Sequence, residues 1–558
     1  METNLSKIRR EKMLKTIANI KKNIVDEETL TNLDAIENEL SKKKYGLIWE
    51  EHEERVDQEL KTQIPTFIDI KDKEIISNPN EKFNFLLEGD NLHSLYLLEK
   101  THKGKIDCIY IDPPYNTGGK DFMYGDTYLE TEDEYRHSKW LSFMNQRLLI
   151  AKRLLSDTGV IFISIDDNEA MNLKLLCDSI FDEHNTDIMV WRKSGDGRDG
   201  KMKNTTTFRK DHEYIICCFK RLKVLNKITE LPNFVNTYPN NDNDPRGPYK
   251  AGSISRKESA SNPNSKNFYT VCTPKGTRIT RQFDISKEEF EILNSDYAIN
   301  SEGRKVSRIY WGKNNDSVPS VKIFTQENRN ITPYSVLLQK GTTTNGTKEL
   351  NKILNGDYSS MRPKPSTLIQ TLIQLGSKKN SIILDFFAGT GTTAQACMQQ
   401  NLIDGGSRNY ILCTNNENDI CEKVTYKRIS HIMDNYIDFN GRPAVGIKHN
   451  LKYYKTTFVP RINAEKENLH NNLLINIKNL IQLENGIEID DNQIRIYLDE
   501  YELDTFSNNK EALKVCDKVY ISSDILLTSK QEKIFRDNNI KVYVIPEYYF
   551  KDEIMEVL

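Results

Sequence analysis

The sequence predicts an α/β protein built on an open, largely parallel sheet, and three stretches carry that prediction. Ile106, Cys108, Ile109, Tyr110 and Ile111 form a nearly continuous apolar run, rich in β-formers, that stops at Asp112-Pro113-Pro114-Tyr115. Residues 381–384 run through Asp385 into Phe386-Phe387-Ala388-Gly389-Thr390-Gly391-Thr392-Thr393. That is a strand, a glycine-rich turn and a helix start, the layout that brings backbone close to a nucleotide-like ligand. Residues 410–414 are a further strand, ending at Asn415-Asn416-Glu417, where the acid is placed to hold ribose hydroxyls. All three end in polar residues, and an open parallel sheet binds its ligands at the carboxyl ends of its strands.

In chain order, residues 1–80 read as a helical arm and lead-in: Leu5, Ile8, Leu14, Ile17 and Ile24 fall roughly on one helical face, suited to a partner, a second copy or the chain's own domain. Residues 45–50 and Ile64-Pro65 read as extended. Residues 81–220 hold the first part of the sheet. Phe83, Phe85, Leu86 and Leu87 mark a strand, Glu88-Gly89-Asp90-Asn91 its terminal turn and residues 92–99 a helix, so Asp90 lies at a strand end one βα step before Asp112. Residues 116–128 form a loop of the kind that positions substrate. Residues 134–155 are an amphipathic helix whose Trp140, Leu141, Met144, Leu148 and Ala151 cover the sheet, and 159–167 are another strand ending in acids. Residues 173–181 are a helix. Residues 207–217 are a loop running into a strand, with a lone His212 that is structural or positions substrate.

Over residues 221–357 the βα alternation disappears. Arg246, Lys250, Arg278, Arg281, Arg308, Lys313 and Lys322 are interleaved there with Tyr269, Tyr310 and Trp311, a mixture that suits phosphate and base contacts together but also fits an ordinary solvated insertion. Alternation resumes over 358–440, which contain the glycine turn. Residues 441–558 read as a separate α/β domain with strands at 493–498, 518–522 and 540–545, suited to dimerisation or partner docking.

At 558 residues the chain exceeds one core, and its net charge of -3 shows no overall basic character, so any nucleic-acid surface is local. The nine cysteines show no metal-ligand spacing and read as reduced core residues, with no metal expected. No run approaches about 18 apolar residues, which predicts a cytoplasmic protein with no membrane contact.

The chemistry concentrates at Asp112-Pro113-Pro114-Tyr115. Two prolines stop the strand, stiffen the backbone after it and contribute carbonyls without amide hydrogens. An acid on one side and an aromatic ring on the other frame a pocket for a flat group bearing an NH2. Taken alone, the tetrad is equally a strand end and a turn. Together with the downstream turn, the chain resembles the beta-class amino methyltransferases of DNA, and more closely the Mod subunits of type III restriction-modification systems. DPPYNTG precedes DFFAGTGTT with the basic region between them, and YGLIWEE, LLEGDNLHSL, WLSFMNQRL, GVIFISIDDNE, FRKDHEYIICC, DPRGPY and TNNEND carry the resemblance across most of residues 45–430.

The resemblance implies a Rossmann-like class I methyltransferase fold in circularly permuted order, with a mixed seven-stranded sheet and an inserted target recognition domain. It implies that Asp112, Pro113, Pro114 and Tyr115 perform methyl transfer. It places S-adenosylmethionine against Asp385, Phe386, Phe387, Ala388, Gly389, Thr390, Gly391, Thr392 and Thr393. Glu417 would then hold the ribose and Asp90 the adenine amine, with Lys364 and Pro365 near the methionine end. Asn116 joins Arg246, Lys250, Arg278, Arg281, Arg308, Lys313 and Lys322 as expected DNA contacts. The implied partners are double-stranded DNA, a second copy of the chain and a Res helicase-nuclease. The implied activity is N6-adenine methylation after base flipping. Transfer to the cytosine 4-amine, a recognition subunit that does not methylate, and a nicotinamide-dependent oxidoreductase are the competing readings.

Overall fold

The computed structural model describes residues 5–22, 26–41, 49–118, 123–124, 127–128, 133–195, 208–230, 240, 242–324, 329–437, 441–460, 466–522 and 524–545. The segment expected at 45–48 and most of the loop after Gly118 lie outside them. The chain divides into two compact units, residues 1–225 with 334–558, and residues 226–333.

The first unit is organised on one sheet. Its strands are β1 (Gln63–Asp69), β2 (Phe83–Glu88), β3 (Ile106–Ile111), β4 (Leu155–Ile165), β5 (Thr186–Arg192), β6 (His212–Phe219), β7 (Val336–Leu337), β8 (Ile382–Asp385), β9 (Asn409–Thr414) and β10 (Asn450–Pro460). They lie in the order β1-β10-β2-β9-β8-β3-β4-β6-β5-β7. From β10 to β4 every pairing is parallel, and β6 runs antiparallel to both β4 and β5. The sheet is mixed, as expected, but has ten strands rather than seven, because β10 and β1 extend it beyond β2 and β7 extends it beyond β5. Strand β3, which leads into Asp112-Pro113-Pro114-Tyr115, precedes the glycine-turn strand β8 in the chain, the expected order.

Burial explains why β3 reads as an apolar run broken only by the half-buried Asp107. Ile106, Cys108, Ile109, Tyr110 and Ile111 are all buried, as central parallel strands covered on both faces must be. On one side lie α1 (Asn91–His102) and α2 (Arg136–Leu154), whose Trp140, Leu141, Met144, Leu148 and Ala151 enter the core. Each such large side chain contributes roughly 1.5–3 kcal/mol on burial. Later in the chain come α3 (Ala170–Phe181), α4 (Thr343–Leu354), α5 (Ser366–Gly376) and α6 (Thr392–Asp404). At the end of α5, a Cβ on Gly376 would come within 3.0 Å of Val160, Phe162 and Cys108, so glycine lets this helix lie directly on β3 and β4.

Several expected boundaries are corrected. The second unit is shorter than 221–357: it ends at Pro333, because Val336–Leu337 pair with β5 and α4 buries Leu350 and Ile353 in the first unit. The expected lead-in contains β1, and the expected separate domain from 441 begins with β10, which joins β2 and β1 to the same sheet. Leu451, Tyr453 and Tyr454 are buried there, and the fully buried Lys452 ammonium lies among Asp69, Glu74 and Glu488. Those three acids are the only convergent metal-type group among the described residues, and a lysine fills it. Beyond β10, strands Ile494–Tyr497, Lys518–Ile521 and Lys541–Val544 make a small parallel sheet with helices Glu500–Ser507, Lys510–Val515 and Ser529–Asp537 between them. At the start of the chain, helices Leu5–Lys21 and Glu27–Ser41 are linked by ion pairs from Lys21 to Asp34 and Glu37. No described helix is long and apolar enough to cross a membrane.

Candidate active site

Asp112 comes directly after β3 and Asp385 ends β8, two neighbouring parallel strands with Ile383 opposite Cys108 and Leu384 opposite Ile109. The chain leaves β8 through α6 to β9 on one side, and leaves β3 through α2 to β4 on the other. Their junction is therefore the switch point of the sheet, where a crevice opens at the carboxyl edge. The adjacent strands β2, β9, β8 and β3 end in turn at Asp90, Glu417, the glycine turn and Asp112. Three strand spacings span about 14 Å, the scale of an extended nucleoside with a short tail.

The tetrad is held by three side chains from other segments, Lys364, Glu213 and Trp140. The Lys364 ammonium donates to both Asp112 carboxylate oxygens at 2.7 Å and to the Tyr115 hydroxyl at 2.7 Å. Tyr115 in turn donates to Asp112 at 2.8 Å and to Glu213 at 3.2 Å. Glu213 lies 3.5 Å from Lys364 and 3.3 Å from Lys193. Burial alone would lower the Lys364 pKa, but the charges of Asp112 and Glu213 more than offset it, so the ammonium titrates above the usual lysine range. Burial, reinforced by the same two carboxylates, pushes the Tyr115 phenol well above its ordinary value. Asp112 keeps 29% of its side-chain surface exposed, enough for a ligand group to reach it.

Trp140, fully buried on α2, donates its indole N–H to the Pro114 carbonyl at 2.8 Å. Of the two proline carbonyls, this leaves Pro113 with no hydrogen bond among the described residues.

The glycine turn is built from beneath. Gly389 and Gly391 have φ of +47° and +76°, a region side chains rarely adopt, and a Cβ on Gly391 would press on Thr425 at 3.1 Å. A Cβ on Gly389 would meet only the Phe387 carbonyl, at 3.9 Å, so its absence leaves an open approach to the backbone. Asp385 is buried and accepts from the Phe387 amide and the Thr393 hydroxyl. Burial pushes its carboxyl up to about 7, with those two donors pulling partly the other way. Phe386 and Ala388 are buried and Phe387 is half-buried. Arg428, fully buried, donates to the Thr390 carbonyl and hydroxyl, the Thr392 hydroxyl and Gln395. The Thr390 hydroxyl is therefore turned inward.

Asp385 should make stability depend on pH. Because its native pKa exceeds its ordinary value of 3.8, the folded chain binds more protons than the unfolded chain between the two values. The stability from this group is present at low pH and is lost as pH rises through about 7. Asp385→Asn does not titrate, so its stability relative to the parent should rise by about 1.4 kcal/mol per pH unit between about pH 5 and 7. Urea unfolding of both chains across that range measures it.

At the far end of the row, Asp90 caps α1 through the Leu92 amide and keeps 40% side-chain exposure. Behind it Arg147, fully buried, binds Asn91 at 2.6 Å, the Glu54 carboxylate at 2.7 Å and the Phe143 carbonyl, and lies 3.6 Å from Asp90. Burial raises the Glu54 pKa, with Arg147 partly countering it. Glu417 is exposed at the start of a 3-10 turn just after β9. These residues suit an adenosyl group: glycines for close approach, one acid for vicinal hydroxyls and a second for an amine.

The structure brings Lys364 to the tetrad and turns Asn116, Lys322 and Arg246 inward. Lys364, expected with the cofactor group, donates to Asp112 and Tyr115 from just ahead of α5, which the buried Pro365 heads. Asn116, expected at DNA, is fully buried: its φ of +57° turns the amide inward to donate to Glu169 at 2.5 Å and to the Arg136 carbonyl. In the second unit, Lys322 is buried between Asp242 and Asp244, and Arg246 binds Asp244, Asp296 and the Val306 carbonyl. A buried ammonium needs counter-charges, so DPRGPY and the acids before it brace that unit's interior. Arg308 lies 3.8 Å from Asp296, and Arg281 donates to the Arg256 carbonyl. Lys250, Arg278 and Lys313 are exposed.

Trp140, Arg147 and Glu213 lie in the strings WLSFMNQRL and FRKDHEYIICC that carry the resemblance, but nothing in those strings assigns them a place at the site, and Arg428 lies outside every such string. His212 stands out in the sequence, yet strand alternation sends His212 and Tyr214 to one face, their rings 5.1 Å apart, and Glu213 to the other.

The sequence profile of the DNA methylase family matches residues 106–458, more than half of the chain. The chain belongs to this family. The Mod subunit of the type III restriction-modification enzyme StyLTI from Salmonella typhimurium strain LT2 is 32% identical to this chain over 397 residues, which is 65% of the chain and 58% of the relative. The EcoPI Mod subunit of Escherichia phage P1 is 30% identical over 70% of the chain and 67% of the relative. The type II methyltransferase M.KpnI from Klebsiella pneumoniae is 32% identical over 63% and 88%. The chain thus spans less than two thirds of the length of the Salmonella relative. The matched family segment runs from the start of β3 almost to the end of β10, so it holds both the tetrad and the glycine turn.

Proposed function

We propose that the chain methylates DNA, transferring a methyl group from S-adenosylmethionine to the exocyclic amine of adenine within a short asymmetric site, and serves in the cytoplasm as the modification and recognition subunit of a type III restriction-modification system. The observation that carries this reading is the placement of Asp112, Pro113 and Tyr115 beside the glycine turn at the switch point. The chain's likeness to Mod subunits supports the system, and the proposal extends to a Res helicase-nuclease partner and a dimeric chain.

An exocyclic amine is a poor nucleophile because its lone pair is delocalised into the ring. Asp112 accepts one N–H and the Pro113 carbonyl accepts the other, which draws the nitrogen toward tetrahedral geometry. When bound, S-adenosylmethionine supplies an electrophilic methyl group on a sulfonium. The proton released after transfer leaves through Asp112 or water. A paired and stacked amine is out of reach, so the base is flipped out of the duplex. Stacking on Tyr115 is worth about 1–3 kcal/mol toward that cost. The exposed Lys250, Arg278 and Lys313 contact phosphates and the rest of the second unit reads the site.

Trp140→Phe keeps the ring and removes the donor to Pro114. Freed of that tie, the proline pair misaims its other carbonyl, and methyl transfer should fall about tenfold with little change in cofactor affinity. Single-turnover rates and calorimetry check the two halves. The reading as a whole is tested by incubating duplex DNA with the chain and methyl-labelled cofactor, then resolving the nucleosides by mass. N6-methyladenine is expected; N4-methylcytosine alone would reassign the amine, and unlabelled DNA would remove the activity.

A further inference from the structure

Lys364 occupies the place that the target amine needs. Its nitrogen is 2.7 Å from both oxygens of Asp112, where an amine N–H would bind, and 2.7 Å from the Tyr115 hydroxyl, at the edge of the ring on which a base would stack. An ammonium in that position withdraws the carboxylate lone pairs that must polarise the amine. It therefore has to leave Asp112 before transfer. Its side chain is only 9% exposed, so it cannot simply move into water. A buried ammonium needs another anion.

Glu213 is that anion. Among the described residues it is the only other carboxylate paired with Lys364, already 3.5 Å away, and it reaches the Tyr115 hydroxyl at 3.2 Å. As it moves aside, Lys364 can exchange its bonds to Asp112 for a direct hydrogen bond to Glu213. Lys193, 3.3 Å from Glu213 on its other side, is part of the same set: two carboxylates and two ammonium groups, whose summed charge stays constant as Lys364 moves.

Resting on the methyl-transfer reading, we propose that Glu213 is a positioning residue that draws the Lys364 ammonium off Asp112 as the target amine arrives. Lys364 is thus a place-holder that keeps the tetrad ordered without substrate, and Glu213 is its second berth. No covalent step is involved. One ion pair is exchanged for another, and Asp112 is left to accept from the amine.

The test is a double-variant cycle on the full chain, with single-turnover methyl transfer to duplex DNA as the readout and calorimetric cofactor binding as the check that each variant is folded. With lysine at 364, Glu213→Gln should slow transfer by about 10- to 100-fold while cofactor affinity changes by less than about twofold. In a Lys364→Met background the same substitution should change the rate by less than about twofold, since no ammonium remains to be moved. An equal loss in both backgrounds would make Glu213 a simple structural strut and overturn the proposal, as would no loss with lysine present. A parent chain that leaves DNA unlabelled while binding cofactor would instead overturn the methyl-transfer reading itself.

Discussion

Asp112→Ala is expected to abolish methyl transfer, by at least about a thousandfold, while specific DNA binding stays within about threefold of the parent. The carboxylate is the one acceptor at the switch point with both an exposed edge and a partner set that holds its orientation, through Lys364 and Tyr115. Removing it deletes the principal group aimed at the amine, a loss of the size seen when a preorganised electrostatic partner is removed from an active site. The fold should survive, because Lys364 retains Glu213 as counter-charge and β3 itself ends before residue 112. Single-turnover labelling and a DNA-binding titration measure the two quantities. Retained methylation would remove Asp112 from the site, and joint loss of binding and methylation would point to unfolding.

Arg147→Ala should have the largest effect on stability. The guanidinium is fully buried and binds Glu54, Asn91 and the Phe143 carbonyl, with its face on the Phe143 ring at 3.6 Å. Without it, the buried Glu54 carboxylate loses its cation, and breaking such a pair from one side costs about 3–5 kcal/mol. That is a large share of the roughly 5–15 kcal/mol that holds a domain folded. The cost is not only global. Asn91 donates to the Phe386 carbonyl and Asp90 caps α1, so the turn that carries Asp90 loosens together with the glycine turn. Cofactor affinity should fall even at temperatures where the chain remains folded. Urea unfolding and calorimetry separate the two effects, and a stability change under about 1 kcal/mol would contradict this role for the brace.

The site's skeleton is readable in the sequence because its elements obey local rules. The β3 and β8 runs are largely apolar since both faces are covered, and the glycine turn is marked by residues that positive φ demands. The strand β10 is not readable in this way, since its apolar residues are interrupted by Lys452 and Lys455; only the assembled acids Asp69, Glu74 and Glu488 make a buried lysine acceptable there. Composition likewise does not distinguish a lysine that meets phosphate from Lys322, which is held inside its own unit by Asp242 and Asp244. Glu213 escapes notice because its role depends on which face of β6 it occupies and on Lys364, distant in sequence, arriving from the start of α5. The tetrad is legible, but the group that holds it between turnovers is a tertiary fact.

The central claim is that the tetrad and the glycine turn act together on one adenine amine in a defined DNA site. Single-molecule sequencing of unmodified duplex DNA treated with the purified chain and S-adenosylmethionine tests it most directly, because base and sequence context are read together. The predicted result is N6-methyladenine at one short asymmetric motif, absent from DNA treated with Asp112→Ala. Unmodified DNA, modification confined to cytosine, or the same pattern from Asp112→Ala would contradict it.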